Sequence, residues 1–138
     1  LLKKFTKEFG LSEYDALNLT DLKGLALYFN ELVTYTKNYK AAIALLKDYS
    51  THYPEQHTAR FYLALAQMNE NQFEAAEINL ALLNDNNQLE FSQEVKWNYA
   101  LCLLKINNAI PKAKMILQQL VQSNGKYALQ ATEILKSL

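Results

Sequence analysis

The chain is poor in the residues that break helices, bridge chains or grip phosphate. Among 138 residues there are three Gly and two Pro, a scarcity that suits an almost entirely helical chain. With so little Gly there is no phosphate-cradling loop. The single cysteine, Cys102, excludes an intramolecular disulfide and leaves the redox compartment open. Charge of one sign is also missing: 14 basic residues balance 14 acidic ones. That argues against nucleic acid or an anionic membrane as the main partner, because both call for a strong basic field. Arg60 is the one arginine, so planar bidentate phosphate donors are scarce. No apolar run approaches the roughly 18 residues needed to cross a bilayer, so direct membrane insertion by this segment is not expected. The chain opens Leu1-Leu2-Lys3-Lys4 without an initiator Met, as a fragment or processed segment does, and an upstream signal or anchor stays undecided.

Apolar residues at helical spacing are what the chain does have; half of it is hydrophobic. The stretch Phe61–Leu83 reads as two amphipathic helices joined by the polar turn Asn69-Glu70-Asn71-Gln72. Phe73, Ala76, Leu80 and Leu83 stand three or four residues apart, on one helix face. Small residues such as Ala64, Ala66, Ala75 and Ala76 let neighbouring backbones approach while Leu and Phe interlock around them. A two-helix unit of this kind cannot bury both faces alone and needs copies beside it.

The copies are present. Ala42, Ala76 and Ala113 are each followed four residues later by Leu and preceded three earlier by Tyr39, Phe73 or Ile110, with spacings of 34 and 37 between the anchors. The additional length fits the polar connector Asn84–Glu90. On these residues, with Trp97 sixteen before its Ala and Pro54 eight beyond Leu46, the chain resembles the tetratricopeptide repeat family over about residues 23–125. Ala26 and Arg60 stand where that family prefers Trp, and Asn30 and Leu101 where the first helix carries a small residue, so the repeats are degenerate. The resemblance implies an all-α fold: a right-handed α-solenoid of about three helix-turn-helix repeats (23–56, 57–90, 91–124) in one domain. An N-terminal cap (1–22) and a C-terminal capping helix (125–138) complete it.

In chain order, Leu1, Leu2, Phe5 and Phe9 line one face of a short helix stopping at Gly10; it is read as a cap on the first repeat, as a remnant of a preceding one, or as a latch in the scaffold's own groove. Ser12 and Thr20 are placed to cap helix starts, with Asp15 and Asp21 in the first turns. The paired helices are expected at 21–36 with 39–52, 55–69 with 73–84, and 89–106 with 110–123, then a last helix at 126–136. Pro54 and Pro111 belong near first turns, where a missing N–H is harmless. Asn84-Asp85-Asn86-Asn87 and Asn124-Gly125 break the chain.

No chemistry is visible. His52 and His57 lie five apart across a helix boundary, a poor metal pair, and read as solvated loop residues. Cys102 among Leu101, Leu103 and Leu104 reads as a buried thiol without a base to activate it. Glu74, Glu77, Glu90 and Glu94 read as solvated faces. The expectation is a non-catalytic protein with no metal, cofactor or catalytic residue.

The resemblance places a partner along the first helices. Unit by unit it implies a groove lined by Leu27, Glu31 and Thr34, then Phe61, Leu65 and Met68, then Asn98, Cys102 and Lys105. Leu27, Glu31, Leu65 and Cys102 replace the Lys, Asn and Arg of family members that clamp a C-terminal carboxylate, so that clamp is not expected. The row Phe61, Leu65, Met68 would accept an amphipathic helix or the N-terminal segment, or else complete the packing between units. The leading reading is a protein–protein interaction scaffold within a larger bacterial protein. The stretches WNYALCLLKINNAIPKAKMILQQL and KYALQATEIL are similar to the C-terminal part of bacterial tetratricopeptide proteins, some held behind a membrane anchor. The alternatives are a regulatory or substrate-recruiting module of an enzyme whose catalytic part lies elsewhere, and a homo-oligomerisation domain.

Overall fold

The computed structural model describes residues 39–86 and 88–138. The N-terminal cap, the helix expected at 21–36 and the groove residues Leu27, Glu31 and Thr34 lie outside the described residues. Among the described residues every regular element is an α-helix and none is a strand, as the Gly and Pro scarcity predicts: α1 (Tyr39–His52), α2 (His57–Asn69), α3 (Phe73–Asn84), α4 (Ser92–Leu103), α5 (Ile110–Gln122) and α6 (Ala128–Ser137). The chain divides into two compact units, Leu1–Asn71 and Gln72–Leu138.

In the first unit α1 packs on α2. Ala42, Ile43, Leu45, Leu46 and Tyr49 of α1 meet Ala59, Leu63 and Ala66 of α2, with Tyr39, Tyr53 and Tyr62 closing the edges. In the second unit α3 packs on α4, α4 on α5 and α5 on α6. Each Leu taken fully out of water contributes about 1.5–3 kcal/mol, and Ala at the crossings lets the helices come close enough for those Leu to interlock.

One burial stripe recurs in α1, α3 and α5. Counted from the first residue of each helix, the fourth, seventh, eighth and eleventh positions are buried: Ala42, Leu45, Leu46 and Tyr49; Ala76, Asn79, Leu80 and Leu83; Ala113, Ile116, Leu117 and Leu120. These steps of three, one and three sweep one side of a 3.6-residue helix. Asn79 is the one polar member, and its Nδ2 reaches back to the Ala75 carbonyl at 3.5 Å. The Ala anchors read from the sequence therefore occupy equivalent sites. In α6, Ala131 is buried and Ala128, Ile134 and Leu135 are half-buried, but Leu138 is exposed.

The reversals are set by local chemistry. Asn71, Asn108 and Asn124 have φ of 59°, 66° and 51°, the left-handed region that Asn tolerates better than other residues with a Cβ. Asn71 and Asn108 each stand two residues ahead of the helix that follows. Pro54 lies in the turn before α2 rather than in its first turn: the Gln56 N–H bonds the Tyr53 carbonyl at 3.0 Å, which puts Pro54 where a turn wants φ near −65°. Pro111 sits in the first turn of α5 as expected. Helix α4 is shorter than the sequence pattern implies, starting at Ser92 and ending at Leu103, with the backbone tightening through Lys105 N–H to Cys102 O and Ile106 N–H to Leu103 O, both 3.0 Å. Side-chain caps are absent from the starts of α2 to α6, so these helices depend on packing rather than on their ends.

Two substitutions separate the contributions. Leu117→Ala is expected to cost about 2–5 kcal/mol in urea unfolding through the cavity it leaves. Asn108→Gly should be close to neutral, whereas Asn108→Val should cost about 1–2 kcal/mol, the penalty of a branched side chain in the left-handed region.

Candidate partner-binding surface

The first-helix residues fall into distinct classes. On α2, Phe61 is 4 % exposed while Leu65 and Met68 are half-buried. Phe61 meets Tyr62 edge-on at 5.7 Å and is a packing residue. On α4, Asn98 is half-buried, with its Nδ2 bonded to the Glu94 carbonyl at 2.9 Å. Cys102 is 0 % exposed, and Lys105 is exposed in the turn beyond the helix. Neither Cys102 nor Lys105 stands on an accessible helix face.

The reason is a shift of register. Five of the seven buried positions of α2 recur in α4 at a spacing of 36, not 37: Ala59 with Val95, Leu63 with Tyr99, Ala64 with Ala100, Ala66 with Cys102, Gln67 with Leu103. The second helices keep the spacing of 37, because the link between α4 and α5 holds one more residue: Ala64 precedes Ala76 by 12 and Ala100 precedes Ala113 by 13. Carrying the α2 row across at 37 therefore lands Cys102 on the site of buried Ala66. At 36 the counterparts of Phe61, Leu65 and Met68 are Trp97, Leu101 and Leu104, all half-buried. The small residue of this helix is Ala100 rather than Leu101, and the Ala64–Ala100 match was the signal available in the sequence.

Helix α4 is the hub of the second unit. The Lys96 ammonium donates to Asn84 Oδ1 on α3 at 2.8 Å and lies 3.5 Å from Gln119 Oε1 on α5. The Tyr99 hydroxyl donates to Glu77 Oε1 at 3.3 Å, and Lys112 of α5 stands 3.8 Å from the same oxygen and over the Tyr99 ring. Burial raises the Tyr99 pKa, while the bond with Tyr99 raises that of Lys112. Trp97 stacks on Tyr127 with ring centres 5.1 Å apart and planes within 5°. Lys126 pairs with Glu94 at 3.6 Å, and the Ser123 hydroxyl donates to Gln93 at 3.3 Å. These three ties hold the approach to α6 against α4.

The Cys102 Sγ–H donates to the Phe73 carbonyl at 3.2 Å. Burial first, then the carboxylates of Glu77 and Glu74, push the thiol from 9.0 up to about 12, so the thiolate that reacts or binds metal is suppressed. At the end of α1, His52 Nδ1 donates to the Asp48 carbonyl at 2.9 Å, and among the described residues no three His, Cys, Asp or Glu gather as a metal site would require. None of the described helices is long and apolar enough to cross a membrane.

Two measurements follow from this geometry. Cys102 should resist thiol reagents in the native chain and react at once on unfolding. Because its folded value lies above its unfolded one, its contribution to stability is complete below pH 9 and lost as pH climbs from 9 towards about 12; Cys102→Ala should flatten part of the alkaline fall in Tm. Trp97 is the sole tryptophan, so Tyr127→Ala should shift its fluorescence to the red as water replaces the ring.

Comparison with known proteins gives little more. No protein-family model matches the chain, and no solved structure matches it. A segment of 40 residues, 29 % of the chain, is 52 % identical to a part of the B subunit of the aspartyl/glutamyl-tRNA(Asn/Gln) amidotransferase of Caldicellulosiruptor bescii, and 50 % identical to that of Caldicellulosiruptor saccharolyticus. The matched stretch spans about 8 % of the length of those proteins, so what the chain shares with them is one short segment.

Proposed function

We propose that the chain is a non-catalytic scaffold of tetratricopeptide-like helical hairpins, which holds a peptide or helix of another protein on the outward faces of its first helices. The observation that carries this reading is the recurrence of one burial stripe in α1, α3 and α5, and of a second in α2 and α4. A stripe repeated at near-constant spacing is the mark of stacked supersecondary units, and such stacks present extended surfaces to ligands. Taken unit by unit, the described residues that remain partly accessible there are Leu65 and Met68 on α2 in the first unit and Leu101 on α4 in the second. They are apolar and adaptable, suited to an amphipathic helix.

The 40-residue similarity to one subunit of an amidotransferase favours one second reading, that of a recruiting module of a larger enzyme. Its substrate would be brought by this chain and converted elsewhere. Balanced charge and a single Arg make RNA a poor fit for the recruited group.

Affinity capture from native extract with the full chain as bait tests both. Leu65→Glu with Met68→Glu, and separately Leu101→Glu, should each abolish capture of a specific protein while helicity and Tm hold. If these variants unfold instead, the residues are core and the scaffold face is refuted. Recovery of a catalytic subunit by the unmutated chain alone would select the recruiting module.

A further inference from the structure

The outward face of α3 stands apart from those of its sister helices. Glu74, Ile78 and Leu82 follow at four-residue steps and Asp85 three beyond, a single row along the helix. It lies opposite buried Ala76, Leu80 and Leu83. Ile78 is 61 % exposed and Leu82 54 %, and Glu74 and Asp85 are exposed at the two ends. The same positions on α1 are Lys40, Ala44, Asp48 and Thr51, and on α5 Pro111, Met115, Gln119 and Gln122. Of the three, only α3 presents two large aliphatic residues side by side. Single exposed apolar residues are ordinary, but an adjacent pair on an ordered helix, bounded by charge, has the form of a recognition ridge.

We propose that this ridge is a second docking surface, distinct from the first-helix faces, and that its occupant is an amphipathic helix of a partner protein whose apolar ridge is flanked by Lys or Arg. The charge at the ends selects the occupant. Two copies of this face meeting about a two-fold axis would bring Glu74 of one chain toward Asp85 of the other, carboxylate against carboxylate, a repulsive arrangement. A helix with basic ends meets the same carboxylates as ion pairs. The neighbouring cation, Lys112, is held on Glu77 and over the Tyr99 ring, and from there it also attracts Asp85. Ile78 and Leu82 supply the apolar contact, and Glu74 and Asp85 set orientation and rate of encounter.

The test uses the full chain and two labelled synthetic peptides of about five helical turns, identical in their leucine ridge and ending in either Lys or Glu. Anisotropy should show the Lys-ended peptide binding the native chain, more weakly as salt rises. Ile78→Glu or Leu82→Glu should weaken it about tenfold or more, with circular-dichroism melts unchanged because both side chains are exposed. Glu74→Lys with Asp85→Lys should transfer preference to the Glu-ended peptide, and this variant tests the proposal even if the apolar ones prove unstable. Leu65→Glu with Met68→Glu should leave the Lys-ended peptide bound, so that failure of the first-helix surface is told apart from failure of this one. Binding of both peptides alike, no binding, or binding indifferent to Ile78→Glu would overturn the proposal. So would a concentration-dependent dimer in sedimentation that Ile78→Glu abolishes, since it would assign the ridge to a second copy.

Discussion

Everything in the described structure depends on an alanine beneath a leucine. Ala42, Ala76 and Ala113 are wholly buried, and the Leu one turn later is wholly enclosed in each helix. A larger residue at the anchor would force the helices apart and expose the Leu, so the two positions act as one unit. With no side-chain caps at the starts of α2 to α6, nothing at the helix ends substitutes for that contact. Stability is held sideways, between neighbours, rather than along each helix.

The polar layer has a different task. Around α4, Lys96 reaches both α3 and α5, and Tyr99, Glu77 and Lys112 join the same three helices. Pairs of this kind at a half-exposed rim add little to stability. They fix rotation instead: each of these geometries requires α4 to present one particular face to each neighbour. Specificity of packing thus rests on a few named side chains around the apolar centre.

Much of this could be read before any coordinates. The Ala-x-x-x-Leu anchors, the helix spans of α1 and α3 and the reversal at Asn69–Gln72 follow from periodicity and turn chemistry alone. The candidate surface was harder. Its position on α4 depends on whether the link before α5 holds one residue more, and polar turn residues carry no periodicity that would reveal it. One residue rotates a helix face by about 100°, enough to exchange buried Cys102 for accessible Leu101. The ridge on α3 was hidden for another reason: Ile78 and Leu82 look like core in a helix that is apolar on every side, and only exposure tells the two faces apart.

The three asparagines at the reversals have a kinetic side. Each turns the chain by its own backbone preference, over residues close in sequence, before any distant neighbour has arrived. Glycine would turn as easily but would leave the unfolded chain freer and so harder to collect. Within each unit the packed helices are neighbours in sequence, so few long loops have to close, and contacts of such short range favour rapid folding.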